Sequence, residues 1–126
     1  INTICYNISN DQPLTIWGDG RVVRDYIYID DLGDALVSAL NETGKFLLAN
    51  ISSGVGLSVN AIIQKVLSIS GANPNIQYQA ARLFDIQECF LSNNRAKEIL
   101  KWSPKIEIDE GIRRTFEWLA SRPNAN

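Results

Sequence analysis

Between Ser58 and Gly71 the chain places Val59, Ile62, Ile63, Val66 and Leu67 on one helical stripe. Serine before such a stripe accepts from first-turn amides, and glycine after it adopts the left-handed conformation that closes a helix. A helix over 59–70 with one apolar face is therefore predicted, and that face must be buried against something. The covering layer is written in β-rich runs. Leu14-Thr15-Ile16-Trp17 and Asp25-Tyr26-Ile27-Tyr28-Ile29 flank the turn-forming cluster Gly18-Asp19-Gly20-Arg21, which predicts a hairpin or paired strands. Helical stripes alternating with short β runs define a mixed α/β chain.

The rest of the pattern agrees with that class. Leu32, Ala35, Leu36, Ala39 and Leu40 recur at helical spacing, with Asp30 and Asp31 as N-cap candidates and an end expected near Thr43-Gly44. Lys45 to Ile51, a continuous apolar run, reads as a short buried strand. Asn73-Pro74-Asn75 is a turn leading into a strand at Ile76-Gln77-Tyr78-Gln79. Asn93 or Asn94 opens a short helix carrying Ala96, Ile99 and Leu100, which ends by Ser103 because Pro104 disfavours helical geometry before it. A last helix is expected from about Asp109 to Ala120, with Ile112, Thr115, Phe116 and Leu119 inward.

Composition narrows the function classes. The 126 residues suit one domain, and no linker or repeat divides them. Twelve basic against fourteen acidic residues give a net charge of -2, too little positive charge for a nucleic-acid partner. The sequence contains no histidine, which removes imidazole metal sites and imidazole acid–base schemes. No apolar run is long enough to span a membrane, and Ile1 opens neither a leader nor an initiator Met, so a portion of something longer is expected. Cys5 and Cys89 share no metal-ligand spacing and read as two unpaired thiols in a reducing compartment.

Chemistry-bearing motifs are few. Gly18-Asp19-Gly20 and Gly54-Val55-Gly56 are Gly-x-Gly stretches, but the second has Val59 where a dinucleotide loop needs a small residue. No acid stands about twenty residues further on, so a structural corner is expected. A catalytic Tyr-x-x-x-Lys pair is absent: four residues after Tyr6, Tyr26, Tyr28 and Tyr78 stand Asn10, Asp30, Leu32 and Arg82. Two arginines near turns remain. Arg24 precedes a β run and Arg82 precedes Leu83-Phe84-Asp85; each offers a planar donor fork for phosphate or carboxylate, or pairs within the chain with Asp25 or Asp85.

Taken in order, several stretches resemble the C-terminal part of the extended short-chain dehydrogenase/reductases that act on sugar nucleotides, most of all the UDP-glucose 4-epimerase group. They are Leu14 to Gly20, Arg24 to Asp31 with the helix that follows, Asn50 to Val59, Arg82 with Asp85, Leu100-Lys101-Trp102-Ser103-Pro104, and Glu110-Gly111-Ile112 with Trp118. The resemblance implies that Arg24 and Arg82 hold a nucleotide diphosphate and that Asp85 binds the uridine ribose. It also implies that Thr15, Ile16 and Trp17 run beside the uracil and bond it through the main chain. The family binds NAD through an N-terminal Rossmann domain that also carries the catalytic residues, so this chain is expected to hold neither. The resemblance implies that residues 31–51 or so pack on that domain, leaving the hairpin and later helices as the sugar-nucleotide cap, and that residues 1–126 together form a single UDP-sugar-binding region of a cytoplasmic, homodimeric NAD-dependent 4-epimerase. A related 4,6-dehydratase or decarboxylase, or a non-catalytic binding module, are the alternatives. Lys101 before Trp102 and Leu83-Phe84 between Arg82 and Asp85 depart from the family pattern and bear on sugar identity.

Overall fold

The computed structural model describes residues 1–42 and 48–122. Five helices surround two small sheets: α1 (Asn2–Ser9), α2 (Ile29–Leu40), α3 (Val59–Ser70), α4 (Asn94–Leu100) and α5 (Ile108–Ser121). Strand β1 (Leu14–Trp17) pairs in parallel with β4 (Ile76–Gln79). Strand β2 (Val23–Asp25) lies between β3 (Gly56–Ser58), antiparallel to it, and β5 (Glu88–Cys89), parallel to it. No described helix is long and apolar enough to cross a membrane.

The main core follows directly from the stripes. Ile62, Ile63 and Val66 of α3 meet Cys5 and Ile8 of α1, Leu14 and Ile16 of β1, and Ile112 of α5, all buried. Helix α1 has no counterpart among the sequence expectations, although Ile1, Ile4, Cys5 and Ile8 carry the same periodicity. Helix α3 forms as its sequence predicts: the Ser58 hydroxyl accepts from the Ala61 amide at 3.1 Å, and Gly71 closes the helix at φ 68°. Ser58→Ala is expected to cost about 1 kcal/mol, a typical N-cap loss, measurable by chemical denaturation. Helices α4 and α5 and strand β4 likewise occupy their predicted places.

Four expectations are corrected. The runs flanking Gly18–Arg21 do not form a hairpin, because β1 turns to β4 and β2 joins the other sheet. Residues 26–29 are not strand: Ile29 already belongs to α2, whose N-cap is Tyr28. Asp30 and Asp31 therefore sit in the first helical turn rather than capping it. Asp31 faces inward, where its carboxylate accepts the Lys105 and Ile106 amides at 3.0 and 2.9 Å, while its carbonyl accepts from the Trp102 indole. Ala35, Ala96 and Trp102 complete this smaller core. The strand expected over 45–51 lies partly outside the described residues, and its described part, 48–51, is not strand. The expected α2 end at Thr43-Gly44 also lies outside them; the helix stops at Leu40.

The stripe on α2 is only partly covered. Ala35 is buried, but Leu36, Val37 and Ile29 are mostly exposed and Leu40 is 84% exposed. Contiguous apolar surface of this kind marks a contact face. Cys5 and Cys89 are unpaired thiols, one buried and one exposed. Burial pushes the Cys5 thiol above its usual value, so it stays protonated and shielded. A thiol reagent under native conditions is expected to modify Cys89 well before Cys5, with both labelled in denaturant; peptide mapping by mass spectrometry reads this. Equal native labelling would contradict the packing of α1.

Candidate functional site

The ends of β1 and β4 and the loop after β4 enclose a cleft of about 600 Å³, lined among others by Trp17, Asp19, Tyr78, Arg82, Asp85 and Gln87. Strand pairing sets its floor, with Trp17 opposite Gln79. Gly18 then turns the chain at φ 77°, and its α-carbon lies so close to the loop that an added Cβ would sit 3.6 Å from Ala81 Cβ. The turn is pinned from the side by Asn60, whose amide group donates to the Asp19 carbonyl at 2.9 Å and accepts from the Tyr78 hydroxyl at 3.3 Å. This brings Trp17 and Arg82, far apart in sequence, face to face: the guanidinium carbon lies 4.4 Å from the indole centroid. Asp85 closes the 82–85 turn, its amide donating to the Arg82 carbonyl.

The expected site residues thus fall into three positions. Trp17, Arg82 and Asp85 share the cleft. Arg24 stands behind it, with Nη1 donating at 2.7 Å to the carbonyls of Val23 and of Ile86 on the same loop. Ile16 is buried in the core and Thr15 is exposed on β1. The amides of Leu14 and Gly18 donate to Asn75 and Gln79, so β1 directs every second residue toward β4. By the two-residue repeat of a strand, the main-chain groups of Thr15 and Trp17 point to the other edge. That edge pairs with no described strand, so its donors and acceptors are available to a planar heterocycle.

The pairing of the arginines with Asp25 or Asp85 is not formed. Among the described residues neither Arg24 nor Arg82 forms an ion pair, although other arginines do. Asp25 instead accepts from the Ser53 amide and hydroxyl at 2.7 and 2.6 Å and from the Gly54 amide at 3.1 Å. Beside Arg24, burial pushes the Tyr26 phenol upward and the arginine's charge works against that shift. Tyr78, Asn60 and Gln87 were not singled out by sequence reasoning. Their polar side chains carry no local signature; the parallel β1–β4 pairing brings Tyr78 to the cleft, where its hydroxyl meets Asn60 of α3.

A dinucleotide does not fit the second Gly-x-Gly turn. Its amides at Ser53 and Gly54 are already taken by the Asp25 carboxylate, and a Cβ on Gly56 would meet Val23 Cγ1 at 2.7 Å and the Phe90 ring at 2.8 Å. Gly56 is required by packing, and Gly54 by the turn, which it makes at φ 79°. Among the described residues no cluster of potential metal ligands exists.

A second cleft of about 750 Å³ opens between α1, the 25–29 segment and α5, with Tyr26, Tyr28, Ile108 and Trp118 on its walls. It is larger than the first and more apolar in its residues, and it holds neither arginine. Its rim includes Ile29, which continues into the uncovered face of α2.

Comparison with known proteins shows what this geometry is similar to. The model of the NAD dependent epimerase/dehydratase family matches residues 1–51. A UDP-glucose 4-epimerase of Mycolicibacterium smegmatis is 34% identical over 107 residues, covering 85% of this chain and 34% of that protein. The crystal structure of a Thermotoga maritima UDP-glucose 4-epimerase with UDP-glucose superposes with a TM-score of 0.88 at 32% identity, over 94% of this chain and 38% of that one. A Bacillus cereus UDP-glucuronic acid 4-epimerase, in complex with UDP-glucuronic acid and NAD, superposes at 0.85 and 25% identity, over 93% and 38%. The chain has the fold of a portion of an NAD-dependent epimerase/dehydratase of the extended short-chain dehydrogenase/reductase type. Within that family it resembles UDP-glucose 4-epimerase, and it spans about a third of the length of the curated relatives it matches.

Proposed function

We propose that this chain supplies the nucleotide-sugar grip of a UDP-sugar 4-epimerase. The observation that carries this reading is the cleft in which Arg82 presents a donor fork beside Asp85, with the open edge of β1 leading away from it. Arg82 meets the diphosphate with charge-assisted hydrogen bonds, and Arg24 approaches from behind with the donors that Val23 and Ile86 leave unused. Asp85 accepts from the ribose diol. Thr15 and Trp17 bond the uracil through their main chain, Ile16 anchoring the strand in the core. Each element suits a nucleoside diphosphate, whose planar base, hydroxyls and two negative charges need three different surfaces.

NAD and the hydride transfer at sugar C4 belong to a Rossmann domain outside this chain, a reading supported by the similarity to NAD-bound epimerases of which this chain covers 38%. The exposed apolar face of α2, with Ile29, Leu36, Val37 and Leu40, fits the role of the surface that packs on that domain. The intact enzyme is then a soluble homodimer that closes its substrate between the two parts. Product analysis tests the reading: the intact protein carrying this chain, given UDP-glucose and NAD, is expected to form UDP-galactose to equilibrium. A 4-keto-6-deoxy or decarboxylated product would replace the epimerase reading with its relatives. No turnover of any nucleotide sugar would remove the enzymatic reading.

A further inference from the structure

We propose that the Trp17 indole is a positioning residue for Arg82, a shelf that aims the guanidinium at an anionic group entering the cleft. The inference rests on the reading of this cleft as the diphosphate site. It goes beyond the main-chain role that the family resemblance gives Trp17.

Arg82 lacks a polar partner within the chain's described residues. Among the described residues its guanidinium makes no hydrogen bond and no ion pair; what it touches is the Trp17 ring, 4.4 Å from the centroid. Arg24 is the contrast, with a terminal nitrogen already committed to two carbonyls. A carboxylate partner would hold Arg82 as firmly but would consume the same donors that a phosphate needs. An aromatic face does not, because a stacked guanidinium keeps all its N–H groups in its own plane, pointing outward.

The shelf itself is fixed. Trp17 is the last residue of β1, held in register opposite Gln79, and the Gly18 amide donates to the Gln79 carbonyl at 3.0 Å immediately beyond it. Ala81, the residue before Arg82, lies next to Gly18, where an added Cβ would be 3.6 Å from the Ala81 Cβ. Trp17 is nevertheless 47% exposed, so the indole contributes little to the core. A long flexible arginine on an exposed turn loses rotamer freedom when it binds; one already lying on a rigid ring has lost part of it beforehand.

The test uses Trp17→Ala, Trp17→Phe, Arg82→Ala and the Trp17→Ala/Arg82→Ala double variant of the intact protein, with UDP affinity measured calorimetrically at fixed ionic strength. Trp17→Ala is expected to weaken UDP binding about two- to fivefold, the scale of an exposed cation–π contact. Trp17→Phe should recover most of that loss, because the aromatic face remains. In the double variant, removing Trp17 should add nothing to the loss from Arg82→Ala, since the ring acts only through the arginine. Multiplying losses, or a Trp17→Ala variant with wild-type affinity, would overturn the inference while leaving the cleft as the UDP site. A wild-type protein that takes up no UDP would overturn the cleft reading and the inference with it.

Discussion

Arg82→Ala is expected to weaken UDP binding about ten- to a hundredfold, corresponding to the 1.5–3 kcal/mol or so of a charge-assisted hydrogen-bonded contact. The same substitution should leave folding stability within about 0.5 kcal/mol of wild type, because Arg82 is exposed and no described carboxylate depends on it. Arg24→Ala separates the two arginines. It removes donors from the carbonyls of Val23 and Ile86 as well as from the ligand, so it should lower both affinity and stability. Titration with UDP alongside a denaturation curve reads both quantities. Equal stability losses at the two positions would show that Arg82 has a structural task which its surroundings do not reveal.

The largest expected effect on folding lies at Asp31. Its side chain is 2% exposed and holds the amides of Lys105 and Ile106, fixing the segment that leads into α5 against the start of α2. Asp31→Ala strips two backbone donors of a charged acceptor and leaves a small void, for an expected loss of about 3 kcal/mol. Asp31→Asn keeps one acceptor oxygen and should lose roughly half of that. Chemical denaturation measures both, and a loss below about 1 kcal/mol for the alanine variant would mean that water replaces the carboxylate at no cost.

How much of this was legible in the sequence depends on the range of the interaction concerned. Helix α3 was readable, with its end near Ser70-Gly71, because its stripe, the Ser58 cap and the Gly71 stop all act within a few positions. The 18–21 turn was also local, but which strands it delivered to which sheet was not. β1 finds its partner at 76–79, across two intervening helices, and nothing at Gly18–Arg21 announces that choice. Asp31 illustrates the same limit, since a local rule makes it a cap while the fold uses it to bind amides more than seventy residues on. Strands β3 and β5, three and two residues long, are too short for any alternation to show.

The site divides in the same way. The donor chemistry of Arg24 and Arg82 could be read from residue type, and their order along the chain carried the family resemblance. Whether they pair with Asp25 and Asp85 could not, because spacing permits it equally well. The structure answers with Asp25 turned to the Ser53–Gly54 amides and Arg82 turned to Trp17. The apolar stripe of α2 was legible as a stripe, but only the fold shows how much of it stays uncovered. Leu36, Val37 and Leu40 stay mostly exposed on it, which the spacing of apolar residues alone does not reveal.

The central claim is that the Trp17–Arg82–Asp85 cleft grips the nucleotide, and a crystal structure of the intact protein with UDP tests it most directly. The account predicts the diphosphate on Arg82 with Arg24 behind it, the ribose hydroxyls on Asp85, and the uracil along the Thr15–Trp17 edge of β1. UDP seated instead in the larger cleft between Tyr26, Tyr28 and Trp118, with no contact to either arginine, would contradict it.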